Sequence, residues 1–378
     1  MSLQVLITGG AGFIGSHLAR RFADSGYKVI VLDSLIPQVH GDEPARTSPL
    51  LRSLDGVAEV IVGDVTSADD LRSAVKGSHL VVHLAAETGT GQSMYEIDRY
   101  VEANVGGMSK LLNLLANEPH SVSRVVVGSS RSVYGEGAYR TGDGRLVFPA
   151  HRSGEALAQG DFDVHMPGEG AITSVPTDEN AKLHPSSVYG ITKQVQESLL
   201  ATVGPAIGVE PVVLRYQNVY GPRQSLKNPY TGILSIFSTL IRQGKEINIF
   251  EDGEESRDFV FIDDVVEATF LAATSPAAAG TVLNVGTGVA TTVNEVVATL
   301  VAAFGADVPT RISGNFRLGD IRHCTADTTQ LRETLGYVPG VAFADGVSRF
   351  VEWALEEQIE RVAYEESLDE MRSRGLLQ

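Results

Sequence analysis

A tyrosine and a lysine stand four residues apart in the segment SVYGITK, at positions Tyr189 and Lys193. Side chains with this spacing lie on one face of a helix. Because a nearby ammonium group favours the phenolate, Lys193 is expected to lower the pKa of Tyr189 towards neutral pH. A phenolate in that position could take a proton from a substrate hydroxyl. Such pairs also arise by chance, so the hypothesis depends on what lies beside them.

A serine at the end of a predicted strand could complete this group. The segment VVVGSSRSVYG begins with the pattern of a buried strand over residues 123–129, and Ser130 comes directly after it. Ligands of parallel α/β sheets bind outside the carboxyl ends of the strands, where Ser129 and Ser130 fall. Ser130 can therefore offer its hydroxyl to the same substrate oxygen as Tyr189. We expect the two segments to converge on one site.

Glycines crowd the first segment of the chain, VLITGGAGFIGSH. Glycine weakens an ordinary strand or helix, so this cluster needs a physical reason. Gly10, Gly12 and Gly15 match the pattern of a dinucleotide-binding turn, and Gly9, Gly12 and Gly15 match a looser version of it. In such a turn, backbone N–H groups at a helix N-terminus approach a pyrophosphate that side chains would block.

Acidic residues follow the second and third predicted strands. Asp33 lies at the carboxyl end of the second strand, where a carboxylate accepts hydrogen bonds from the adenosine ribose hydroxyls. The same charge would repel a 2′-phosphate, which favours NAD over NADP. Asp64 and Val65 end the third strand, where an adenine contact is expected. The alternative for Asp33 is an ordinary solvated residue at a strand end.

Strand-like and helix-like segments alternate along the chain. The strand-like runs are continuously apolar, as expected for a parallel sheet covered on both faces. They cover residues 3–8, 28–33, 58–63, 79–85 and 123–129, with helices over 14–24 and 94–117. Later elements are a helix from Pro185, strands at 211–216, around Phe259 and at 281–285, and a charged helical tail from Ala342. The alternation predicts a doubly wound parallel α/β sheet, the Rossmann fold.

The predicted elements divide the chain into two domains. Residues 1–217 are assigned to a dinucleotide-binding Rossmann domain, and residues 218–378 mainly to a smaller C-terminal α/β domain that binds substrate. Within the second part, residues 259–290 are expected to return partly to the Rossmann domain. Residues 136–180, with many Gly, Pro and charged residues, break the alternation and are interpreted as an insertion.

Charge and cysteine content exclude several classes of protein. The chain of 378 residues has 30 Lys and Arg against 47 Asp and Glu, a net charge of −17. That field repels nucleic acid and anionic membrane surfaces, so local cations must hold any anionic ligand. The single cysteine, Cys324, excludes an intramolecular disulfide and a cysteine cluster for a metal. This cysteine usage, with no leader-like or membrane-spanning run, favours a cytoplasmic protein.

A set of motifs along the chain resembles one protein family. The motifs are TGGAGFIGSH, HLAAE, the asparagine of EANVGG, SSRSVYG, YGITK, LRYQNVYGPRQ, RDFVFIDDVV, NVGTG and RLGDIRH. The chain thereby resembles the extended short-chain dehydrogenase/reductase family, which contains the nucleotide-sugar epimerases and dehydratases. The resemblance implies a catalytic triad of Ser130, Tyr189 and Lys193, with Lys193 also holding the nicotinamide ribose. It implies tightly bound NAD and a nucleotide-diphosphate sugar as substrate.

The resemblance also implies further ligand contacts and an oligomeric state. Residues that match additional cofactor-binding positions of the family are Phe13, Ile14, Leu84, Ala85, Ala86 and Asn104. Glu87, which follows the fourth predicted strand, could line the sugar site. The helices near 95–117 and 187–203 look like those that form a four-helix dimer interface in the family, which implies a homodimer. The alternative is that these helices only cover the sheet.

Two arginines are the candidates for holding the substrate diphosphate. By resemblance, Arg257 and Arg317 grip the diphosphate and Asn218 contacts it. Guanidinium groups suit phosphate oxygens, and a chain with a strong negative charge needs such fixed cations. The alternative is that both arginines pair at the surface with Asp258 and Asp320.

Two residues within the SSRSVYG motif help to choose the reaction. In the 4,6-dehydratases of the family, the residue matching Ser130 is followed by Asp and Glu, which eliminate water from the sugar. Here Arg131 and Ser132 stand at those positions, and neither side chain is suited to that proton transfer. An epimerase needs no such pair, since the hydride leaves C4 and returns to the other face of the sugar. The predicted function is therefore a nucleotide-sugar 4-epimerase.

The resemblance implies a dTDP- or UDP-hexose as substrate, and the long insertion resembles one subgroup of the family. With RYQNVYGPRQSLKNPYTGILSIFS, the 136–180 stretch resembles a subgroup acting on dTDP-6-deoxyhexoses, similar to the dTDP-L-rhamnose 4-epimerases. Some relatives carry paired cysteines in this stretch, and this chain has none there. The alternatives are a dTDP-hexose 4,6-dehydratase, a 4-ketoreductase of the same fold, and a non-enzymatic NAD-sensing regulatory protein. Tyr230 could either pack or contact substrate.

Overall fold

The computed structural model describes residues 3–226, 228, 232–358 and 364–378, so Tyr230 lies outside the described residues. The strands are β1 (Gln4–Thr8), β2 (Lys28–Asp33), β3 (Glu59–Val62), β4 (Leu80–His83), β5 (Arg124–Ser130), β6 (Tyr139–Thr141), β7 (Leu146–Val147), β8 (Ile172–Ser174), β9 (Glu210–Tyr216), β10 (Asn218–Tyr220), β11 (Ile247–Ile249), β12 (Ser256–Phe261), β13 (Val282–Val285), β14 (Ala290–Thr292), β15 (Thr310–Ile312) and β16 (His323–Cys324). The helices are α1 (Phe13–Asp24), α2 (Pro37–His40), α3 (Pro44–Thr47), α4 (Pro49–Arg52), α5 (Ala68–Val75), α6 (Thr90–Ser93), α7 (Ile97–Tyr100), α8 (Gly107–Asn117), α9 (Gly154–Ala158), α10 (Val188–Ala206), α11 (Ile233–Arg242), α12 (Ile262–Thr274), α13 (Val293–Phe304), α14 (Thr329–Leu335), α15 (Phe343–Glu356) and α16 (Tyr364–Ser373). Within these ranges, no helix combines the length and the apolar character that a membrane span requires.

Seven parallel strands form the central sheet, in the order β13-β9-β5-β4-β1-β2-β3. β1 has β2 on one side and β4 on the other. The strand order reverses at this point, which leaves a crevice outside the carboxyl ends of β1 and β4. Both faces of the sheet are covered, so its strands are continuously apolar, and β5 is buried along its whole length. The predicted doubly wound parallel fold is confirmed.

Alternate residues of β1 pack into two different hydrophobic clusters. Val5 and Ile7 belong to one cluster, together with Leu18 and Phe22 of α1. Leu6 lies between them on the other face, in a cluster with residues of α5, α8 and α10. Successive side chains of a strand point to opposite faces, so one strand supplies both layers of the core. Helices on both faces thereby fix the sheet whose edge carries the site.

The second half of the chain builds smaller sheets. β12 pairs in parallel with β10 and β16 and antiparallel with β14, and β11 pairs with β15. β13 instead joins the edge of the central sheet beside β9. The chain therefore crosses from the smaller sheets back to the large one between β12 and β13. The division into domains at residues 217 and 218 stays a prediction.

The predicted insertion at residues 136–180 forms a small structure of its own. β6 pairs antiparallel with both β7 and β8. Tyr139 of this sheet packs with Val164 in a separate hydrophobic cluster. The Thr177 N–H donates to the Thr325 carbonyl over 2.8 Å. The insertion is therefore joined by main-chain bonding to the second half of the chain.

The helix predicted over residues 94–117 is wrong in its first part. Residues 94 and 95 form a turn, α7 begins at Ile97, and a π-helical stretch, Val101–Gly106, joins α7 to α8. A π-turn widens a helix locally and is frequent at functional sites. Here it carries Asn104, which is fully buried. The apolar periodicity of the sequence does not reveal one extra residue in a turn.

Candidate active site

A cavity of about 650 Å³ lies at the carboxyl ends of the central strands. It brings together nearly all of the residues that the sequence predicts for the site. The predicted residues that line it are Gly9, Gly12, Phe13, Ile14, Gly15, Asp33, Asp64, Val65, Leu84, Ala85, Ala86, Glu87, Ser130, Tyr189, Lys193, Asn218, Arg257 and Arg317. Asn104 is the predicted residue that does not line it. The cavity therefore joins the glycine turn of β1 to the arginine of β12.

The glycines of the turn after β1 and of the first turn of α1 meet two different requirements. Gly9 has a left-handed backbone with φ +67°, and a Cβ there would lie 2.7 Å from the Ala85 nitrogen. A Cβ on Gly15 would lie 2.4 Å from the Gly9 carbonyl oxygen, so both positions need glycine for packing. A Cβ on Gly12 would meet that oxygen at a more tolerable 3.2 Å, and Gly12 lines the cavity. Glycine at this third position would allow a ligand to approach the α1 N-terminus closely, as the sequence predicts.

Asp33 closes the cavity at the end of β2. Its carboxylate accepts hydrogen bonds from the N–H groups of Ala11 and Leu35, each over 2.9 Å, which fix its orientation. His40 Nε2 lies 3.7 Å from Asp33 Oδ1, and His40 Nδ1 bonds to Ser48 Oγ at 2.8 Å. Burial lowers the pKa of His40, and the charge of Asp33 opposes this effect. His40 is absent from the predicted site because no motif marks it.

Asn104 supports the cavity wall from behind. Its Oδ1 accepts from the Glu87 N–H at 2.8 Å, and its Nδ2 donates to the Glu87 carbonyl at 3.1 Å. The same Nδ2 donates to Thr192 Oγ1 at 2.9 Å, and Thr192 lies on α10 beside Lys193. Asn104 thus ties the segment after β4 to the helix that carries Tyr189. The predicted cofactor contact of Asn104 stays a prediction, and this geometry favours an indirect role.

β5 and α10 bring Ser130, Tyr189 and Lys193 to the same cavity. α10 begins after Ser187, whose hydroxyl oxygen accepts an N–H of the first turn at 3.2 Å and so caps the helix. Lys193 Nζ donates to the Gly128 carbonyl at 2.9 Å and lies 5.9 Å from the centroid of the Tyr189 ring. The helix register thus presents the phenol and the ammonium together, as the spacing of four residues predicts.

The pKa of Tyr189 is raised, whereas the sequence analysis expects it to be lowered. Burial raises the pKa of Tyr189, while a hydrogen bond with Ser130 and the charge of Arg131 act in the opposite direction. Burial lowers the pKa of Lys193 to about 8, against the charge of Glu197. The prediction that Lys193 lowers the pKa of Tyr189 is therefore wrong. The ammonium is directed to a main-chain carbonyl, and Arg131 supplies the charge that favours the phenolate.

A buried chain of polar groups lies behind Lys193. Glu197, one turn further along α10, accepts hydrogen bonds from Ser129 Oγ and, at 2.8 Å, from Arg215. Arg215 also donates to the Tyr134 hydroxyl at 2.9 Å. Glu197 is absent from the predicted site. Its spacing could have revealed it, because positions 189, 193 and 197 share one face of a helix.

Arg131 and Ser132 occupy the positions that distinguish this chain from the dehydratases. Arg131 lines the cavity, and its Nε donates to Asn218 Oδ1 at 2.6 Å. Burial and the charge of Arg257 both lower the pKa of Arg131. Ser132 Oγ accepts a hydrogen bond from Ser130 Oγ at 3.1 Å. A cation and a hydroxyl therefore stand at the two positions where the family resemblance implies an acid and a base for dehydration.

Asp320 stands between the two arginines predicted to hold the diphosphate. Its oxygens lie 3.2 Å from Arg257 Nη2 and 3.0 Å from Arg317 Nη2. Burial disfavours the charge of Asp320, but Arg317 and Arg257 outweigh this effect and hold the pKa of that carboxyl well below its usual range. The alternative that both arginines pair with Asp320 is thus correct. Pairing with Asp258 is wrong, because its buried carboxylate accepts from main-chain groups such as the Thr287 N–H.

Main-chain carbonyls hold the guanidinium group of Arg257 in place. Arg257 Nη1 donates to the carbonyls of Ser256 at 2.8 Å and Arg322 at 3.0 Å. Its Nη2 donates to the carbonyl of Ile321 at 2.6 Å. Arg257 is 8% exposed, so its charge is presented to the cavity from one fixed position. An anion in the cavity would meet an arginine that needs no reorganisation to bind it.

The fold and the site together define a class of enzyme. A glycine turn opens a helix at the switch point of a parallel sheet, which is where such folds bind dinucleotides. A phenol, a serine hydroxyl and an ammonium stand in the same cavity. This arrangement can move a proton at a carbinol oxygen while a dinucleotide accepts the hydride. The class is that of dinucleotide-dependent enzymes acting on secondary alcohols.

Comparisons with known proteins agree with this class. The model of the NAD dependent epimerase/dehydratase family matches residues 5–152 and 164–286. The chain is 38% identical to the dTDP-L-rhamnose 4-epimerase of Burkholderia thailandensis over 358 residues, which cover 94% of this chain and 95% of the relative. The chain belongs to the NAD-dependent epimerase/dehydratase family.

Solved structures of similar proteins share the fold. The UDP-glucose 4-epimerase of Thermotoga maritima, solved with UDP-glucose, is 29% identical with a TM-score of 0.75, covering 94% of this chain and 99% of that one. The UDP-glucose 4-epimerase of Thermus thermophilus, solved with NAD, is 26% identical with a TM-score of 0.74, covering 94% and 100%. The resemblance to nucleotide-sugar epimerases is confirmed.

Proposed function

We propose that this chain is an NAD-dependent nucleotide-sugar 4-epimerase acting on a dTDP- or UDP-hexose, with a dTDP-6-deoxyhexose as its substrate class. The observation that supports this most is the meeting of Ser130, Tyr189 and the glycine turn in one cavity. Arg131 and Ser132 next to them favour epimerisation over dehydration. The 38% identity to a dTDP-L-rhamnose 4-epimerase favours the 6-deoxyhexose.

The residues around the glycine turn fit NAD. Gly12 allows a pyrophosphate to approach the N-terminus of α1. Asp33, already oriented by two N–H groups, presents its carboxylate to ribose hydroxyls and opposes a 2′-phosphate. The further proposed cofactor contacts line the same cavity and are Phe13, Ile14, Asp64, Val65, Leu84, Ala85 and Ala86.

The catalytic cycle needs one base and no net oxidation. NAD⁺, when bound, takes a hydride from C4 of the sugar and returns it to the opposite face. Tyr189, as the phenolate, accepts the proton of the 4-hydroxyl and gives it back when the ring has turned over. Ser130 donates a hydrogen bond to the same oxygen. Lys193, fixed at the Gly128 carbonyl, holds the nicotinamide ribose.

The anionic part of the substrate is assigned to the fixed cations of the cavity. Arg257 and Arg317 bind the diphosphate, and Asn218, oriented by Arg131, contacts it. Guanidinium groups offer several N–H donors to phosphate oxygens in a fixed geometry. Glu87 is placed at the sugar end of the cavity.

The first test uses the purified protein without added cofactor. A panel of dTDP-, UDP- and GDP-sugars is followed by NMR of the sugar ring protons. We expect inversion at C4 of one substrate with no net change in cofactor absorbance, because the hydride returns to the sugar that lost it. Loss of water from the sugar would indicate a dehydratase instead. Absence of any reaction across the panel would contradict the proposed function.

Replacing the proposed base separates chemistry from binding. Tyr189→Phe keeps the ring but removes the group that exchanges a proton with the 4-hydroxyl, so kcat should fall by about 10³-fold. NAD that copurifies with the protein should remain, measured by its absorbance after denaturation. Tyr27→Phe likewise removes one hydroxyl, from a ring that packs on Phe22 and does not line the cavity, and is the matched control. Activity retained in Tyr189→Phe would exclude Tyr189 as the base.

A homodimer is proposed from an apolar face on α7 and α10. The exposed apolar residues on these helices and the turn and π-helical stretch that flank α7 are Met94, Ile97, Val101 and Ile191. Isolated apolar side chains are normal on a surface, but a cluster of them often marks an interface. The resemblance to the family implies a four-helix interface built from the helices near 95–117 and 187–203, which supports this face as the proposed dimer interface. A symmetric dimer would cover the same patch on both copies.

A further inference from the structure

Arg152 anchors the insertion to a segment that lines the active-site cavity. It lies between β7 and α9, and its side chain is 2% exposed. Its two terminal nitrogens donate to the Glu251 carboxylate over 2.7 and 2.8 Å. One of them also donates to the Asp320 carbonyl at 3.1 Å. A bidentate, charge-assisted pair of this kind fixes the relative orientation of the two side chains and also adds to the strength of their contact.

Glu136, at the start of the insertion, holds the same segment. It is 2% exposed, and its Oε2 accepts the Arg322 N–H at 2.7 Å. Its Oε1 lies 3.4 Å from Arg152 Nε. Residues 320–322 are therefore held at two main-chain positions by side chains of the insertion.

The same three residues carry the contacts of the proposed diphosphate site. Arg257 donates to two carbonyls of segment 320–322, at 2.6 and 3.0 Å. The Asp320 carboxylate pairs with both Arg257 and Arg317. One short stretch of main chain thus lies between the insertion and both cations.

The backbone at Glu251 shows that this anchor is held under strain. Glu251 has φ +48°, in the left-handed region that residues with a side chain seldom adopt. Its carboxylate is bound by Arg152 and, at 3.2 Å, by Arg322. Strained backbone of this kind persists only where the surrounding contacts maintain it. The contact between Arg152 and Glu251 is therefore one of the contacts that maintain this backbone conformation.

We propose that Arg152 is a positioning residue for substrate binding, through which the 136–180 insertion sets the placement of Arg257 and Arg317 on the diphosphate. This rests on the proposed function, which assigns the diphosphate to those two arginines. Arg152 is too deeply buried to act on solvent-borne ligands, so its effect passes through segment 320–322. Its loss should weaken the grip on the diphosphate and leave the proton and hydride transfers unchanged.

The test compares Arg152→Met with Arg145→Met, which removes an exposed arginine from the same insertion. Arg145 pairs with Asp143 and Glu169 at the surface. Calorimetry gives the affinities for thymidine and uridine mono- and diphosphates, and steady-state kinetics give KM and kcat. We expect Arg152→Met to raise KM and the diphosphate Kd about tenfold through misplacement of the arginines. The monophosphate Kd, the bound NAD and kcat should stay within about twofold.

A second variant guards against a failure to fold. Arg152→Met leaves Glu251 with fewer cationic partners in a buried position, which can destabilise the protein. Arg152→Met/Glu251→Gln removes both charges and should show the same loss of diphosphate affinity. Arg145→Met should match the wild-type protein throughout. Unchanged diphosphate affinity in a folded Arg152 variant, or equal losses for mono- and diphosphates, would overturn the positioning role.

Variants of Arg257 and Arg317 distinguish a failure of the positioning role of Arg152 from a failure of the proposed substrate site. Arg257→Met and Arg317→Met should each lose the preference for diphosphate over monophosphate. If the Arg257 and Arg317 variants lose this preference for diphosphate while the Arg152 variants keep it, only the positioning role is wrong. If the Arg152, Arg257 and Arg317 variants all keep the preference for diphosphate, the diphosphate does not bind these arginines and the proposed substrate site is wrong as well.

Discussion

The proton affinity of Tyr189 is set by groups on two segments that meet in the cavity. Burial raises its pKa, while Ser130 and Arg131, which end and follow β5, act in the opposite direction. Lys193 Nζ donates to the Gly128 carbonyl, and Lys193 is not among the groups that shift the pKa of Tyr189. Arg131 is therefore the charged residue that opposes this rise, beside the hydrogen bond with Ser130.

This view predicts a shift in the pH dependence of Arg131→Gln. A general base acts when deprotonated, so the rate rises as pH increases through its pKa. Removing the Arg131 charge should raise the pKa of Tyr189 further, and the acidic limb of kcat/KM should move to higher pH. The measurement is a pH profile beside that of Arg20→Gln, an exposed arginine on α1. An acidic limb at the same pH in both variants would contradict the assignment.

At the scale of elements, the turn from β1 into α1 combines a packing requirement with a binding requirement. Gly9 and Gly15 allow the turn to pass close to the chain after β4 and to itself. Gly12 sits at the N-cap of α1 with φ −74°, a conformation open to any residue. Glycine at the first two positions is therefore needed by the fold, and we propose that glycine at Gly12 serves the approach of a ligand.

Two alanine substitutions should separate these requirements. Gly15→Ala forces a Cβ to 2.4 Å from a carbonyl oxygen, so the free energy of unfolding should fall. Overpacking of this kind costs about 1–3 kcal/mol. Gly12→Ala, whose Cβ would lie 3.2 Å from the same oxygen, should lower thermal unfolding less than Gly15→Ala does and should reduce the bound NAD, because its Cβ intrudes on the proposed pyrophosphate site. Gly170→Ala, at a position with open space, is the control. Similar thermal unfolding of Gly12→Ala and Gly15→Ala would refute the separation.

At the scale of the whole molecule, a net charge of −17 surrounds a cavity lined by guanidinium groups. Arg131, Arg257 and Arg317 face the cavity, and Asp320 partly neutralises them. The overall field opposes an approaching anion, so binding depends on these local cations. The cytoplasmic location and the division into two domains remain predictions from sequence.

The apolar face on α7 and α10 predicts the oligomeric state. Ile97→Glu/Ile191→Glu places two charges on residues that are each 49% exposed, so the monomer fold should survive. A dimer that buries both patches should dissociate, because uncompensated charges would be desolvated in the interface. Sedimentation velocity at micromolar concentration measures the change in mass. Val338→Glu, 61% exposed elsewhere, is the control and should remain dimeric. A monomeric wild-type protein would rule out the proposed dimer.

The sequence by itself determined the features that depend on neighbours along the chain. Strand β2 spans the predicted residues 28–33, because its apolar run and its ends are local properties. The glycine turn and the pairing of Tyr189 with Lys193 on one helix face follow from spacing alone. The π-helical stretch around Asn104 was not predicted, because the widened turn leaves the amino-acid composition of the helix unchanged.

Only the tertiary structure decided how the site is charged and held. The pKa of Tyr189 depends on burial and on Arg131, and neither distance nor burial can be read from spacing. Arg152 and Glu251 lie 99 positions apart in the chain and form one bidentate pair. Burial and electrostatic coupling depend on separation in space, which the fold sets and which sequence periodicity does not encode.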